Sequence, residues 1–532
     1  MSSTSAAVTA SAPVEADGRM SHREVLEALS GLLIGMFVAM LSSTVVTNAL
    51  PRIISDLGGG ESAYTWVITA TLLTTTATTP IWGKLADLFS RKLLVQLALV
   101  IFVGGSAIAG FAPNIGWLIG ARAVQGVGVG GLTALVQVVM AAMIAPRDRG
   151  RYSGYLGAVF ALATISGPLL GGLIVDTSWL GWRWCFFVGA PFALLSFVVL
   201  QKTLHLPLVR RDNVRIDYVG AGLIVGGVSM LLVWVSLAGH NFAWGSATSM
   251  LMVAAGVVLL LVAIWWESRA VEPIIPLWLF RNRSTSLAVV ASLFVGVALF
   301  GSTVFLSQYF QIARGQSPTV AGLLSMPLIL GLVVSSLIVG RIITRTGRYK
   351  KWMVMGAIVL VAGLTLLGSL TATTPFWELS VYMVLVGLGL GATMQNLVLS
   401  VQNTVRQSEL GTASATVAFF RSLGGAIGVS ALGALLSHRV TDSVLSGLDK
   451  LGIPATGSAS LGGIPDVQAL PAPVRAVVEH AYGLATGDIF LVAAPFAAIA
   501  AVAIIAMREV PLRRTLDVET ELDEVPIDRV GR

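Results

Sequence analysis

The chain has 532 residues, of which 55% are hydrophobic and only 11% charged, with a mean hydropathy of +0.84, whereas soluble domains carry about 25% charged residues. This composition excludes a soluble globular protein and makes the lipid bilayer its surroundings. A net charge of +7 would suggest nucleic acid in a soluble chain, but here it reflects where basic residues flank apolar runs, so no nucleic-acid partner is expected.

Each crossing needs about 20 apolar residues and must satisfy its own backbone polar groups, which a helix does. The alternating segments of a membrane barrel are absent. Cys185, the single cysteine, forbids an intrachain disulfide. Residues 1–28 form a Ser/Ala-rich, charged tail without the apolar core of a cleavable signal peptide. Its end, Ser21 to Leu29, suits a short amphipathic helix on the inner membrane surface. Apolar runs follow at 29–50, 63–83, 93–112, 116–144, 152–175, 182–201, 218–238, 249–266, 287–311, 319–340, 352–371, 376–402, 411–437 and 487–507, giving fourteen spans.

An even number of spans leaves both ends on one side. Most of the 34 lysines and arginines fall on segments sharing the N-terminal side, so the positive-inside rule puts both termini in the cytoplasm, the chain being multi-pass in the inner (plasma) membrane. Topology alone accounts for the clusters Arg147 to Arg151, Arg210-Arg211 and Arg341 to Lys351. Trp179, Trp182 and Trp184 suit an outer interfacial belt rather than a ligand cage. The longest outer loop, His438 to Gly487, is rich in Gly, Ser, Pro and Ala. The tail after Met507 turns from basic (Arg508, Arg513, Arg514) to acidic (Asp517, Glu519, Glu521, Asp523, Glu524), a composition that favours disorder.

An internal repeat organises these spans. Gly126, Gly128 and Gly130 align with Gly387, Gly389 and Gly391, and the same offset carries Asp148 to Glu409, Gly150 to Gly411 and Ser153 to Ser414. The charged stretch Gly83-Lys84-Leu85-Ala86-Asp87-Leu88-Phe89-Ser90-Arg91-Lys92, read as a cytoplasmic loop, has a weaker copy near Gly340, with Thr344 in place of Asp87 and Arg348 in place of Arg91. The expected architecture is therefore all-α: a six-helix bundle at 29–203, two inserted helices with flanking loops at 204–286, a second six-helix bundle at 287–507 that includes the loop 438–487, and a tail at 508–532. Parallel duplication of this kind serves alternating access, with substrate near the midplane between halves that rock.

Four motifs in order then carry a family resemblance. Gly83 to Lys92 resembles the loop motif of the major facilitator superfamily, and Arg122 to Gly128 resembles its fourth-helix arginine motif. Gly157 with Gly167-Pro168-Leu169-Leu170-Gly171-Gly172 resembles the fifth-helix antiporter motif. With fourteen spans, Leu41 to Pro51 in the first and Trp182-Arg183-Trp184 opening the sixth, the chain is similar over about residues 25–510 to drug:proton antiporters of the EmrB/QacA type. The resemblance implies the major facilitator fold, a proton as coupling ion, no bound cofactor, and a coupling and gating set of Asp87, Arg122, Gly83, Arg91, Gly167, Pro168 and Arg421. It also implies a latch between the halves at Asp87, which lies just past the second span, on the side where the thirteenth begins near Leu410. The alternative for Asp87 is a topology signal in a solvated loop.

The residues leave several points open. Arg122 is either a coupling charge or a clamp on helix-end carbonyls; Arg421 is either a coupling charge or a holder of Gly424-Gly425 against a neighbour. Gly157, Ala161, Gly167 and Gly171 bring small residues round one side of the fifth span, which permits close packing either between the halves or within one, and Pro168 can kink the helix. Glu378 and Asp488 near outer helix ends suit interfacial carboxylates. Many relatives carry an acid in the first span where this chain has Ser42, so the most direct proton carrier is missing. By analogy, spans 1, 4, 9 and 12 line the cavity, with Ser42, Thr44, Gln125, Gln137, Phe300, Phe305, Gln308, Gln395 and Asn396 as candidate walls, suited to bulky amphiphiles. Segment 438–487 is either a hairpin over the outer vestibule, as in similar transporters, or a mobile loop.

The expected function is proton-driven efflux of amphiphilic drugs, antibiotics or dyes by a monomer. Its alternatives are a dedicated exporter of one endogenous metabolite or lipid, or a facilitator importing a nutrient. A membrane enzyme should cluster His, Asp or Glu at depth, whereas His22, His205, His240, His438 and His480 are scattered. No phosphate-binding Gly-rich loop followed by Lys-Ser/Thr is present to support ATP-driven transport. The Gly, Ala and Val content suggests a GC-rich bacterial genome.

Overall fold

The computed structural model describes residues 22–58, 61–177, 179–204, 217–238, 242–451 and 471–513. Among them the regular structure is helical, with one isolated bridge between Ala238 and Phe242. The first half comprises α1 (His22–Asp56), α2 (Glu61–Leu88), α3 (Arg91–Gly110), α4 (Ile115–Met143), α5 (Pro146–Asp176) and a broken crossing, α6 (Trp184–Phe187) with α7 (Ala190–Thr203). The inserted pair is α8 (Tyr218–Leu237) and α9 (Ala247–Glu267). The second half holds α10 (Arg283–Gln308) with a π-helical turn at Tyr309–Ala313, the broken α11 (Pro318–Leu324) and α12 (Met326–Thr346), then α13 (Lys350–Leu367), α14 (Phe376–Gln402), α15 (Leu410–Lys450) and α16 (Ala472–Ala506). Both breaks precede a proline in the first turn of the resuming helix, whose missing N–H and fixed φ suit a helix start.

Among the described residues, thirteen stretches are long and apolar enough to cross a membrane. The fourteenth crossing is α2, whose eight threonines dilute its apolarity. Five of the hydroxyls are satisfied inward: Thr71 donates to the Arg122 carbonyl and Thr75 to that of Gly126, while Thr74, Thr78 and Thr79 donate back along α2; the Thr76 hydroxyl is enclosed without a partner. The close fit of α2 on α4 at Gly126 and Gly130 lets these bonds form.

The halves meet mainly where α5 packs on α12 and α2 on α15, while α1 and α10 each pack chiefly within their own half. The inserted α8 lies along the α2/α15 seam, where Ile224, Val228 and Leu232 share a buried cluster with Phe419 and Ala426.

Three expectations change. Ser21 to Leu29 yields no separate surface helix: His22 to Leu29 are the first turns of α1, and Val25, Ala28 and Leu29 are buried in the first half, while Ser21 lies outside the described residues. The ten-residue loop shrinks to Phe89 and Ser90, because α2 continues through Leu88 with Ala86 and Leu88 buried. The segment 438–487 is helical over 438–450 and 472–487, since α15 runs 41 residues and α16 runs 35, about 60 and 50 Å at 1.5 Å per residue. Their extensions touch where Gly447 lies against Val477; residues 452–470 lie outside the described set, as do Arg210-Arg211 and the acidic tail. Of the three tryptophans, Trp179 and Trp184 are exposed, whereas Trp182 is buried with the Arg183 guanidinium 4.4 Å from its ring.

Candidate functional site

The loop motif marks one end of the bundle, and there the halves are joined by two related contacts. In the first, Gly83 and Gly411 bring the last turn of α2 against the first turn of α15 so closely that a Cβ on either would strike the other's backbone. That approach puts the Asp87 carboxylate at the N-terminus of α15. Oδ1 accepts the Gly411 N–H at 2.7 Å, and Oδ2 accepts the Thr412 N–H and hydroxyl, each at 2.7 Å. These are orphan donors of a helix start, favourable to an anion. Asp87 lies beyond the apolar stretch ending at Gly83, outside the membrane-spanning segment; burial pushes its carboxyl up to about 6, against the opposing pull of Thr412, Gly411 and the Arg91 charge. Arg91 itself donates to the Ala86 carbonyl at 3.3 Å and, across the halves, to that of Gln407 at 3.4 Å.

The second contact is the repeat's counterpart. Gly340 on α12 meets Gly150 on α5 backbone to backbone. Thr344 stands where Asp87 stands in the first half and donates to the Gly340 carbonyl. The charge comes instead from Arg147 on α5, which donates to the carbonyls of Thr344 at 3.1 Å and Arg345 at 3.0 Å, favourable at a helix C-terminus. One contact thus sets an acid on a helix start, the other a base on a helix end.

Deeper between the halves is a polar seal. Arg149, 2% exposed, donates to the carbonyls of Ile144 and Ala141 and to Gln402 Oε1 at 2.9 Å. Gln402 donates to the Ser414 hydroxyl at 2.8 Å and Gln137 donates to Gln395 Oε1 at 2.9 Å. Beyond Gln395 a cleft of about 20 Å³ lies between the halves, lined by Met36, Leu156, Phe160, Leu332 and Met394 with Gln395 and Ser336 among its polar groups. Sequence alone assigns Arg149 to topology; the signal that could have separated it from its neighbours is its place within the repeat, between Asp148 and Gly150.

The remaining sequence candidates distribute as follows. Arg122 donates to Gln125 Oε1, and Gln125 donates to Ser42 at 3.0 Å and Ser106 at 2.7 Å. This network is buried within the first half. Among the described residues no helix-end carbonyl accepts from Arg122, and its Nε is enclosed without a partner. Thr44 donates to the Ala163 carbonyl, and Gly167 packs on Thr44, so that glycine serves contact inside one half. Gly150, Gly154 and Gly157 are the α5 glycines that face α12; the side chain of Pro168 lies outside the described residues. Phe300 and Phe305 pack in the core of the second half, and Asn396 donates to the Ala392 carbonyl. Gln308 Oε1 is enclosed without a donor. Gly424, Gly425 and Gly428 seat α15 on α10, while Nη1 of Arg421 is enclosed and unpartnered. Glu378 accepts from Tyr382, and Asp488 lies 3.6 Å from Arg439 with both half-exposed. Among the nine wall candidates, Gln395 borders the cleft.

Comparison with known proteins places these contacts in context. The model of the Major Facilitator Superfamily matches residues 32–429. The chain is 33% identical over 455 residues to the multidrug transporter protein MdtP of Bacillus subtilis, covering 85% of this chain and 83% of that protein. It is 34% identical over 502 residues to the efflux pump dotC of Dothistroma septosporum, covering 92% and 85%. Its fold is similar to that of the proton:xylose symporter XylE, with a TM-score of 0.61 at 13% identity over 92% of this chain and 97% of that one.

Proposed function

The chain belongs to the Major Facilitator Superfamily, and from that premise we propose that it exports amphiphilic small molecules across the plasma membrane by alternating access, driven by the proton gradient. The observation that carries this reading is the pair of glycine joints, Gly83 on Gly411 and Gly150 on Gly340, on which two packed halves can rock; in this closed arrangement about 20 Å³ is left beyond them, room for about one water, as an apolar-walled cleft. Its walls include Met36, Met394, Leu156, Phe160 and Leu332, and thioethers and aromatic rings adapt to varied apolar shapes. Relatives named as a multidrug transporter and an efflux pump support export.

In this reading both termini and the loop motif are cytoplasmic, and the sealed end closes the path to the cytoplasm. Asp87, with Gly83 and Arg91, latches α2 to α15; Arg122 and Arg421 are charges available for coupling, and Gly167 with Pro168 shapes α5. Two unpartnered guanidinium nitrogens favour neutral or anionic amphiphiles over dications. The chain works as a monomer with protons as its coupling ion.

The test is accumulation of dyes and antibiotics in cells expressing the chain, with and without a protonophore, together with flux in oriented vesicles. Lower accumulation that a protonophore reverses is the expected result. Accumulation that never changes would redirect the reading to an exporter of one dedicated compound, and inward flux in vesicles to an importer.

A further inference from the structure

The inserted helices carry a pair of acids that the transport reading does not use. Asp217 caps α8 through Oδ1, which accepts the Gly220 N–H at 2.8 Å and the Trp266 indole N–H at 2.9 Å. Its Oδ2 is enclosed and receives no donor. Glu267 is the last residue of α9 and only 5% exposed. Its Oε2 accepts the Ile275 N–H at 3.2 Å, and its Oε1 is enclosed without a donor. The two remaining oxygens crowd a single spot beside the Gly220 Cα, where a Cβ would strike both. Two carboxyl groups, each with one oxygen committed to N–H donors, therefore bring their free, enclosed oxygens to one place, 2.3 and 2.4 Å from the point a Gly220 Cβ would occupy and so no more than about 4.7 Å apart.

Two ionised carboxylates cannot share such a space cheaply, since like charges at short range disfavour joint ionisation. One proton between them turns the repulsion into a charge-assisted O–H···O⁻ bond. The surrounding charges do not remove the need for it. The Lys84 charge on α2 also reaches Glu267, as the weakest of the influences on it, and is paired with Glu272 at 2.5 Å, and the Arg269 guanidinium lies 4.4 Å from the Trp265 ring. A divalent metal takes about six to eight oxygens in the case of calcium, whereas no group of three or more metal-capable side chains occurs among the described residues.

We propose that Asp217 and Glu267 form a binding site for one shared proton at the loop-motif end of the inserted helices. Its position gives that proton leverage. α8 packs on both α2 and α15, the helices that separate when the halves rock, and the linker after Glu267 carries Glu272 to Lys84, next to Gly83. The site goes beyond the export reading, and its test measures no transport.

The full chain in lipid nanodiscs is examined by infrared spectroscopy near neutral pH, wild type against D217N, E267Q and D87N. Either amide can still donate to the surviving carboxylate, so the fold is retained; thermal unfolding checks it. The expected result is a protonated-carboxyl carbonyl band in the wild type that is lost in both D217N and E267Q and kept in D87N. A band that survives in D217N and E267Q, that vanishes with D87N instead, or that calcium or sodium titrates away overturns the proposal. So does its absence from the wild type.

Discussion

Asp87 exchanges hydration for three protein donors when the halves meet, and those donors are lost together when they separate. Hydrogen bonds to a charged group contribute about 1.5–3 kcal/mol each, so the three donors offset part of the cost of burying the carboxyl, and that cost is left unmet if they are lost. Asp87→Asn keeps one oxygen but turns an amide toward the donors of Gly411 and Thr412. We expect it to cut transport by about tenfold or more, which needs only about 1.4 kcal/mol, while its level in the membrane stays near wild type. Wild-type efflux in vesicles of the variant would refute the latch. The same residue sets a pH dependence. Buried, its carboxyl titrates at about 6 rather than the ordinary 3.8, so closure binds a proton. Closure is then favoured in acid relative to neutral pH, because the protonated carboxyl is the form that burial tolerates. This contribution is complete below about pH 4 and is lost as pH rises through 6. Spin labels at the exposed Phe89 and Arg348, with Cys185→Ser, should report a larger closed fraction at low pH in the wild type and a flat profile in Asp87→Asn.

Helices α2, α5, α12 and α15 form the joints, and glycine sets how closely they approach. Gly83 against Gly411 and Gly150 against Gly340 are symmetric partners in the repeat, so the spacing that relates the two halves in sequence also relates the two joints in space. A side chain in either joint must push the facing backbones apart rather than turn aside. Gly340→Val should therefore cost about 1–3 kcal/mol of closure by overpacking, lowering the closed:open ratio by roughly 5- to 150-fold. The Phe89/Arg348 label pair reads it directly as a shift to the longer distance; an unchanged distribution would mean the helices yield without opening. Gly167→Ala, which loads contact within one half against Thr44, should disturb stability more than this distance. Sequence marks all these glycines alike, because a small residue announces close packing without naming its partner.

How far the molecule could be read in its sequence follows from which forces act locally. The crossings were legible because apolar length is imposed by the bilayer, and the repeat exposed two halves with an insertion. Arg149 was hidden because two exposed or half-exposed arginines flank it, and charge alone cannot tell a topology signal from a seal. The walls of the cleft were hidden for a related reason: facing a cavity, a neighbour or lipid is decided by rotation of the whole helix. In α1 that rotation buries Ser42 against Gln125 and half-buries Thr44 against α5, leaving Ser43 and Thr47 exposed. At the loop-motif end the halves are closed, with α1 and α10 each packed chiefly in its own half, and at the opposite end α5 meets α11 where Gly172 lies against Thr319; access from that opposite end is what alternating access requires of the next step. Ser43→Cys in a Cys185→Ser background should therefore react with a charged, membrane-impermeant maleimide added from that opposite side. Addition of Asp87→Asn should slow the reaction several-fold, because releasing the latch lets the halves rock toward the other state. Labelling of Ser43→Cys by apolar reagents alone would place it against lipid and remove this face of α1 from the pathway. Labelling that ignores Asp87 would uncouple the latch from access at the far end, and with it the rocking of the two halves as units.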